Sequence, residues 1–469
     1  MTPEILGCSA VQMARMIRER EISSAELVEA QLVQIAKANP VINAAVEVFS
    51  DRAREGARAA DEALARGEPL GPLHGVPFSI KDSIEVAGAP CTAGTWGRWS
   101  ATPSAVDATV VARLRRAGGI PIARTNLPDL LFAFETDNLI FGRTCNPYDI
   151  RRTSGGSSGG EAALIAACGS PLGLGSDAAG SVRLPAAFCG IAGIKPTSGR
   201  LPRTGHFPPA GGWIEALWQI GPMARHVEDL AAVMPLLAGG DGSDVTALDV
   251  RLLDSLQADR RALRVAFYTD NGMAPAEPDV ADVVRSAAHR LSAEVAHVTE
   301  AHPACLADAY DLEMKLIGAD GGDSLRQYLA DLGSTKVHPL LTGWIDKLES
   351  YRTDLAGFHK YWGEWDRYRS EMRAFLKQYD VILCPVYPHP ALPHGASIEE
   401  GNFRGFSHTM AYNVAGWPAA VVRCGQSPAG LPIAVQIVAH PWREDVALSV
   451  AQWLEQSFGG WTAMGFTDP

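Results

Sequence analysis

The sequence predicts one continuous α/β domain. Apolar runs of strand length alternate with stretches of helical periodicity, the order that packs helices against a sheet. No repeat of roughly 20 to 50 residues recurs and no low-complexity linker divides the chain. Its 469 residues, 47% hydrophobic and 20% charged, suffice for one large core.

Ser23 and Glu26 form a capping box ahead of Ala25, Val28, Leu32 and Ile35, which share one helical face, and Pro40 closes that helix. Asp51 to Arg66 reads as a second helix, stopped by Gly67. The run "VPFSI", Val76 to Ile80, reads as a short buried strand ending at Lys81. Next, "AVDATVVARLRRAGG" has helical spacing with glycines at its C-terminal end, and "IPIA" reads as the following strand. "DIRRTS" has a poor strand pattern. Further strands are expected at Leu263 to Thr269, Val381 to Pro385, Ala419 to Val422 and Ile433 to Ala439. The segment from about His302 to Tyr379 carries "KYWGEWDRYRSEMRAFLKQY", helical in spacing and dense in Trp and Tyr, with no strand signal. It reads either as an aromatic helix packed on the sheet or as a roof over a pocket that selects substrates.

Composition narrows the function classes. A formal net charge of −12 without a Lys/Arg cluster argues against nucleic acid or anionic membrane as partner. The N-terminus reaches charged, amphipathic sequence before any long apolar run, so neither a signal peptide nor a membrane span is expected, and the expected location is cytoplasmic. Eight cysteines without C-x-x-C fit reduced thiols, and twelve histidines show no H-x-x-x-H. No metal and no cofactor are expected.

The chemistry-bearing stretch is "TSGGSSGGEAAL", Thr153 to Leu164. It is not a P-loop, because Glu161 stands where Lys-Ser or Lys-Thr would follow. It does not fit a dinucleotide fingerprint, lacking a good strand before it, nor a nucleophile elbow, lacking a His/Asp pair placed to complete a triad. Alone, it reads equally well as a flexible loop capping the helix that starts near Glu161. Two other segments accompany it: "GVPFSIKD", with Lys81 ending an apolar strand, and "GLGSDAAGSVRLPAAFCGIAGIKPT", with Ser181 after Ala178, Ala179 and Gly180.

These three segments in this order resemble the amidase signature family, most strongly from about Leu70 to Met223 and again at "NVAGWPAAVV" and "GLPIAVQIVA". The run from Gly155 to Thr197 resembles the fatty acid amide hydrolase branch. The resemblance implies a single domain over 1–469, built on a large mixed twisted sheet covered by helices on both faces; the helical, aromatic-rich insertion of about 302–379, outside the resemblance, is expected to cover the active site. It implies cleavage of carboxamide C–N bonds through an acyl-enzyme, with Ser181 as nucleophile, Lys81 as general base and Ser157, after a cis peptide bond, passing the proton between them. The N–H groups of Ala178, Ala179, Gly180 and Ser181 would form the oxyanion hole, and Leu131 and Phe132 would line the substrate channel.

The residue types suit that chemistry. Amides are poor electrophiles, so hydroxyl attack needs a base and donors for the oxyanion. A lysine serves as base only when neutral, which burial favours. Asp82 adjoins Lys81, so its carboxylate has to point elsewhere. Asp177 and Arg183 read as a structural pair, and Ser158 as a supporting hydrogen-bonder. Expected substrates are hydrophobic or aromatic amides, with esters or carbamates (urethanes) as extensions, and a homodimer is left open. Two alternatives remain: a glutamine-using amidotransferase subunit, or an inactive member that serves as a binding subunit.

Overall fold

The apolar runs assemble into one mixed sheet in the computed structural model, which describes residues 3–209 and 216–463. In chain order the strands are β1 (Ala45–Val48), β2 (Pro77–Lys81), β3 (Ile120–Thr125), β4 (Cys145–Asn146), β5 (Asp149–Thr153), β6 (Leu172–Asp177) and β7 (Ala192–Lys195). They continue with β8 (Gln219–Ala224), β9 (Arg264–Phe267), β10 (His297–Glu300), β11 (Val381–Pro385), β12 (Ala419–Gln426) and β13 (Pro432–Ala439). Eleven of them form a single sheet in the order β1-β3-β2-β6-β8-β7-β12-β13-β11-β9-β10. Parallel pairing holds β3, β2 and β6 together at one end and β11, β9 and β10 at the other, and antiparallel pairs link the two through β8, β7, β12 and β13.

Helices cover both faces, because the interior strands are apolar on both. On β11, Val381 and Leu383 enter the core built by helices Ala10–Arg18, Val227–Leu237, Pro278–Leu291 and Glu444–Phe458. Ile382 and Cys384 point the other way, into the core shared with helices Ala309–Gly318, Leu355–Phe375 and Ser407–Val414. The alternation is the period of two that a strand imposes.

Local signals acted as expected at Ser23, where the capping box with Glu26 starts helix Ser24–Ile42. That helix runs two residues past Pro40 to Ile42 and is capped by Asn43, whose φ of 48° is left-handed; proline has no N–H to give the helical ladder, so the helix ends within that turn. Helix Ser50–Arg66 stops at Gly67 as read. The next helix is shorter than its sequence pattern, Thr109–Arg116, and Asp107 just before it accepts the Ala87 N–H at 2.8 Å. "DIRRTS" is a strand after all: β5 pairs antiparallel with β4 in a separate ribbon, so its pattern was never set by burial in the main sheet. The segment after His302 is helical, as predicted, up to β11.

Candidate active site

β2 and β6 lie side by side and parallel, with Ser79 opposite Gly173 and Ile80 opposite Leu174. Their C-terminal ends therefore carry Lys81 and the Ser176–Asp177 pair to one edge of the sheet. The Gly-Ser loop enters helix Gly159–Ala166 beside them, and the turn after β6 leads through Ser181 into helix Arg183–Phe188. The backbone of that loop is packed so closely that a Cβ on Gly156 would sit 2.6 Å from Ala133 O and from Glu135 N. This close approach is the physical reason for glycine beside the serines. The Gly156–Ser157 peptide bond is cis.

Lys81 is fully buried, and its Nζ lies 2.6 Å from Ser157 Oγ, 3.1 Å from Ser176 Oγ and 3.5 Å from Ser176 O. Burial pushes the lysine down to about 7, against the pull of Asp177 and Glu161 in the other direction. Glu161 does not undo this, because burial raises its own carboxyl to about 7 while Ser79 and Thr125 donate to it. Asp82 turns away from Lys81 and is occupied by Arg124 and Thr92.

Two further residues stand beside Lys81 and its neighbours without a sequence motif of their own. Ser176 stood unremarked inside "GLGSDAAGS", and His206 stands alone in the chain with no motif around it. His206 Nδ1 lies 3.1 Å from Pro208 O, and its Nε2 lies 3.0 Å from Ser176 Oγ and 3.2 Å from Ser83 Oγ. A carbonyl can only accept, so Nδ1 carries the proton and Nε2 accepts from hydroxyls. Burial pushes this imidazole down to about 3, so it is neutral.

The turn after β6 is held by a buried ion pair. Arg183 Nη2 and Nε donate to Asp177 Oδ1 and Oδ2, each at 2.9 Å, and both side chains have zero exposure. Burial alone would raise Asp177, but the Arg183 guanidinium holds it well below the usual carboxylate range. Asn413 and Gln436, from the two C-terminal segments singled out in the sequence, accept from Arg183 in turn. The Gly180 N–H is spent on Asp177 Oδ1 at 2.8 Å, whereas the N–H groups of Ala178, Ala179 and Ser181 meet no acceptor among the described residues. Gly180 has a φ of 122°, and a Cβ there would run into the Thr409 side chain. Ser158 ties the two turns together: its N–H donates to Ser181 O at 3.1 Å and its hydroxyl to Ser176 O at 3.3 Å.

Ser157 and Ser181 open onto one cavity together with Ser176, Ala178, Ala179 and His206. The Ser181 hydroxyl makes no hydrogen bond to a described residue. The rest of the wall is mainly apolar and includes Leu131 and Phe132, with Leu130, Phe134, Ile317, Trp344 and Trp218. Leu130 and Leu131 have φ of 51° and 68°, so they lie on a tight turn. Two helices of the 302–379 segment contribute to the wall through Glu313, Ile317 and Trp344, whereas the aromatic helix Leu355–Phe375 packs elsewhere through Trp365, Tyr368 and Met372. Among the described residues, no three His, Cys, Asp or Glu side chains are grouped to hold a metal ion, and no helix is long and apolar enough to cross a membrane.

This arrangement, two small-residue turns and a buried lysine on a mixed sheet, is that of a hydrolase. A family model described as Amidase matches residues 26–448, and the chain belongs to that family, the amidase signature enzymes, as a hydrolase acting on amide C–N bonds. It is 32% identical to fatty-acid amide hydrolase 2 of Homo sapiens, across 99% of this chain and 92% of that one. It is 34% identical to a component of the glutamyl-tRNA(Gln) amidotransferase of Roseiflexus castenholzii, across 96% and 95% respectively. The structure of a bacterial aryl acylamidase matches with a TM-score of 0.86 at 27% identity, across 96% of each chain.

Proposed function

We propose that the chain is a serine hydrolase of small, hydrophobic or aromatic amides that works through an acyl-enzyme on Ser181. The observation that carries the reading is the 2.6 Å approach of a desolvated Lys81 amine to Ser157 Oγ, on the cavity where the Ser181 hydroxyl meets no partner among the described residues. A neutral amine has two N–H groups and one lone pair. The N–H groups face Ser176, whose hydroxyl is turned to His206, so the lone pair is left for the Ser157 proton. Ser157 then accepts the proton of Ser181 as that oxygen attacks the carbonyl, and the relay runs backwards to protonate the departing amine. The free N–H groups of Ala178, Ala179 and Ser181 are positioned to hold the oxyanion, with Gly180 shaping the turn. Esters and carbamates form the same kind of acyl-enzyme and are expected as further substrates. Glu313, Ile317 and Trp344 support a covering role for part of the 302–379 segment.

The amidotransferase relatives give a second reading, ammonia release from glutamine. The cavity favours the first, because a free amino acid brings a carboxylate and no Arg or Lys stands among the described residues lining it. Activity of the purified chain on an aryl amide, an alkyl ester, a carbamate and free glutamine separates the readings. Turnover of the aryl amide with little ammonia from glutamine is expected. Glutamine as the preferred substrate would overturn the proposal, and an inert chain would point to a binding role without catalysis.

A further inference from the structure

The cavity holds a carboxyl group that the relay does not use. Glu313, on helix Ala309–Gly318, is fully buried and lines the cavity, yet neither of its oxygens meets a hydrogen-bond partner among the described residues. Trp344, on helix Pro339–Leu348, lines the same cavity, and its indole Nε1 is also buried without an acceptor among the described residues. A polar group left unpaired in an apolar wall carries a penalty that a ligand recovers by supplying the partner. A hydrocarbon cannot do this, and the neighbouring Leu131, Phe132 and Ile317 offer nothing polar in its place.

The protonation state narrows the ligand. Burial raises Glu313 well above the usual carboxylate range, with Arg183 pulling it down and Asp177 pushing it up. The group is then a neutral acid with one O–H donor and one carbonyl acceptor. Its complement is an uncharged group that also carries both.

We propose that Glu313 and the Trp344 indole N–H form a specificity-determining subsite for an uncharged amide- or carbamate-type group borne by the substrate at a second position, away from the bond that is cleaved. Substrates with two such groups are then preferred over those with one. The inference rests on the amidase reading of this cavity, and its test separates the two.

The test uses two matched pairs of chromogenic amides. One pair ends its acyl chain in a carboxamide or in a hydrocarbon of the same size, and the other carries the same two groups on the amine portion. kcat/KM is measured for the natural chain, Glu313→Gln and Glu313→Leu. In at least one pair the natural chain should favour the carboxamide, and Glu313→Leu should cut that preference by about tenfold or more. Glu313→Gln, still a neutral donor and acceptor, should keep most of it. No preference in either pair, or a preference that survives in Glu313→Leu, would overturn the subsite. So would a Gln variant that fails as fully as Leu, since that would assign the group to binding a cation. If the natural chain cleaves none of the four amides, the amidase reading fails first and the subsite with it.

Discussion

Lys81 is where burial and charge compete. Asp177 and Glu161 would keep the ammonium, Asp82 next to it is taken by Arg124, and the neighbouring His206 is neutral, so desolvation prevails and leaves the amine at about 7. In the proposed relay the lysine acts in its deprotonated form, so kcat/KM for amides should rise as pH climbs through about 7 and level off above it. Lys81→Met keeps most of the stem volume and removes the base. It should lower amide turnover by on the order of 10³ and flatten that limb, judged by pH profiles from 6 to 10, with esters losing less because their leaving group needs less protonation. If Lys81 were only a structural lysine, the variant would melt earlier and lose amide and ester turnover together. Asp177 plays the opposite part. Paired with Arg183 at zero exposure, it stays charged and spends its oxygens on the turn, accepting from the Gly180 and Val182 N–H groups as well. Removing one partner of such a pair strands the other, at a typical cost of about 3–5 kcal/mol.

At the scale of elements, the segment from about 302 to 379 packs on the core with one helix and lines the cavity with two others. Helix Leu355–Phe375 is the packed aromatic helix: Trp365 is buried and donates its Nε1 proton to Val414 O at 2.7 Å. Helices Ala309–Gly318 and Pro339–Leu348 are the ones that reach the cavity. The two roles can be told apart experimentally. Trp365→Ala should lower stability by about 3–5 kcal/mol in urea denaturation and leave the ranking of amide substrates as it was. Trp344→Ala should change that ranking, most for bulky aromatic amides, since the ring lines the cavity and packs edgewise against Phe132 of the wall and against Phe403. A Trp365 variant with altered ranking would move the aromatic helix into the site.

Over the whole molecule, what could be read from sequence was what is local or repetitive. Strand-length apolar runs at Val381 to Pro385 and Ile433 to Ala439 match β11 and β13 to within a residue, because burial on both faces leaves no other pattern. The cluster of Lys81, Ser157 and Ser181 was legible through resemblance, since each stands in its own small-residue segment. Ser176, His206 and Glu313 were not: they meet the site only after β6, the loop past Lys195 and a distant helix fold together. The Gly180 N–H shows the same limit, its use being decided by where the Asp177 carboxylate turns. The central claim, a Ser181 nucleophile driven by a neutral lysine through Ser157, is tested most directly by intact-mass analysis after treatment with a fluorophosphonate. The account predicts one adduct per chain, mapped to Ser181, forming faster as pH rises through about 7 and absent from Ser181→Ala. An adduct on Ser157, or equal labelling of Ser181→Ala, would contradict it.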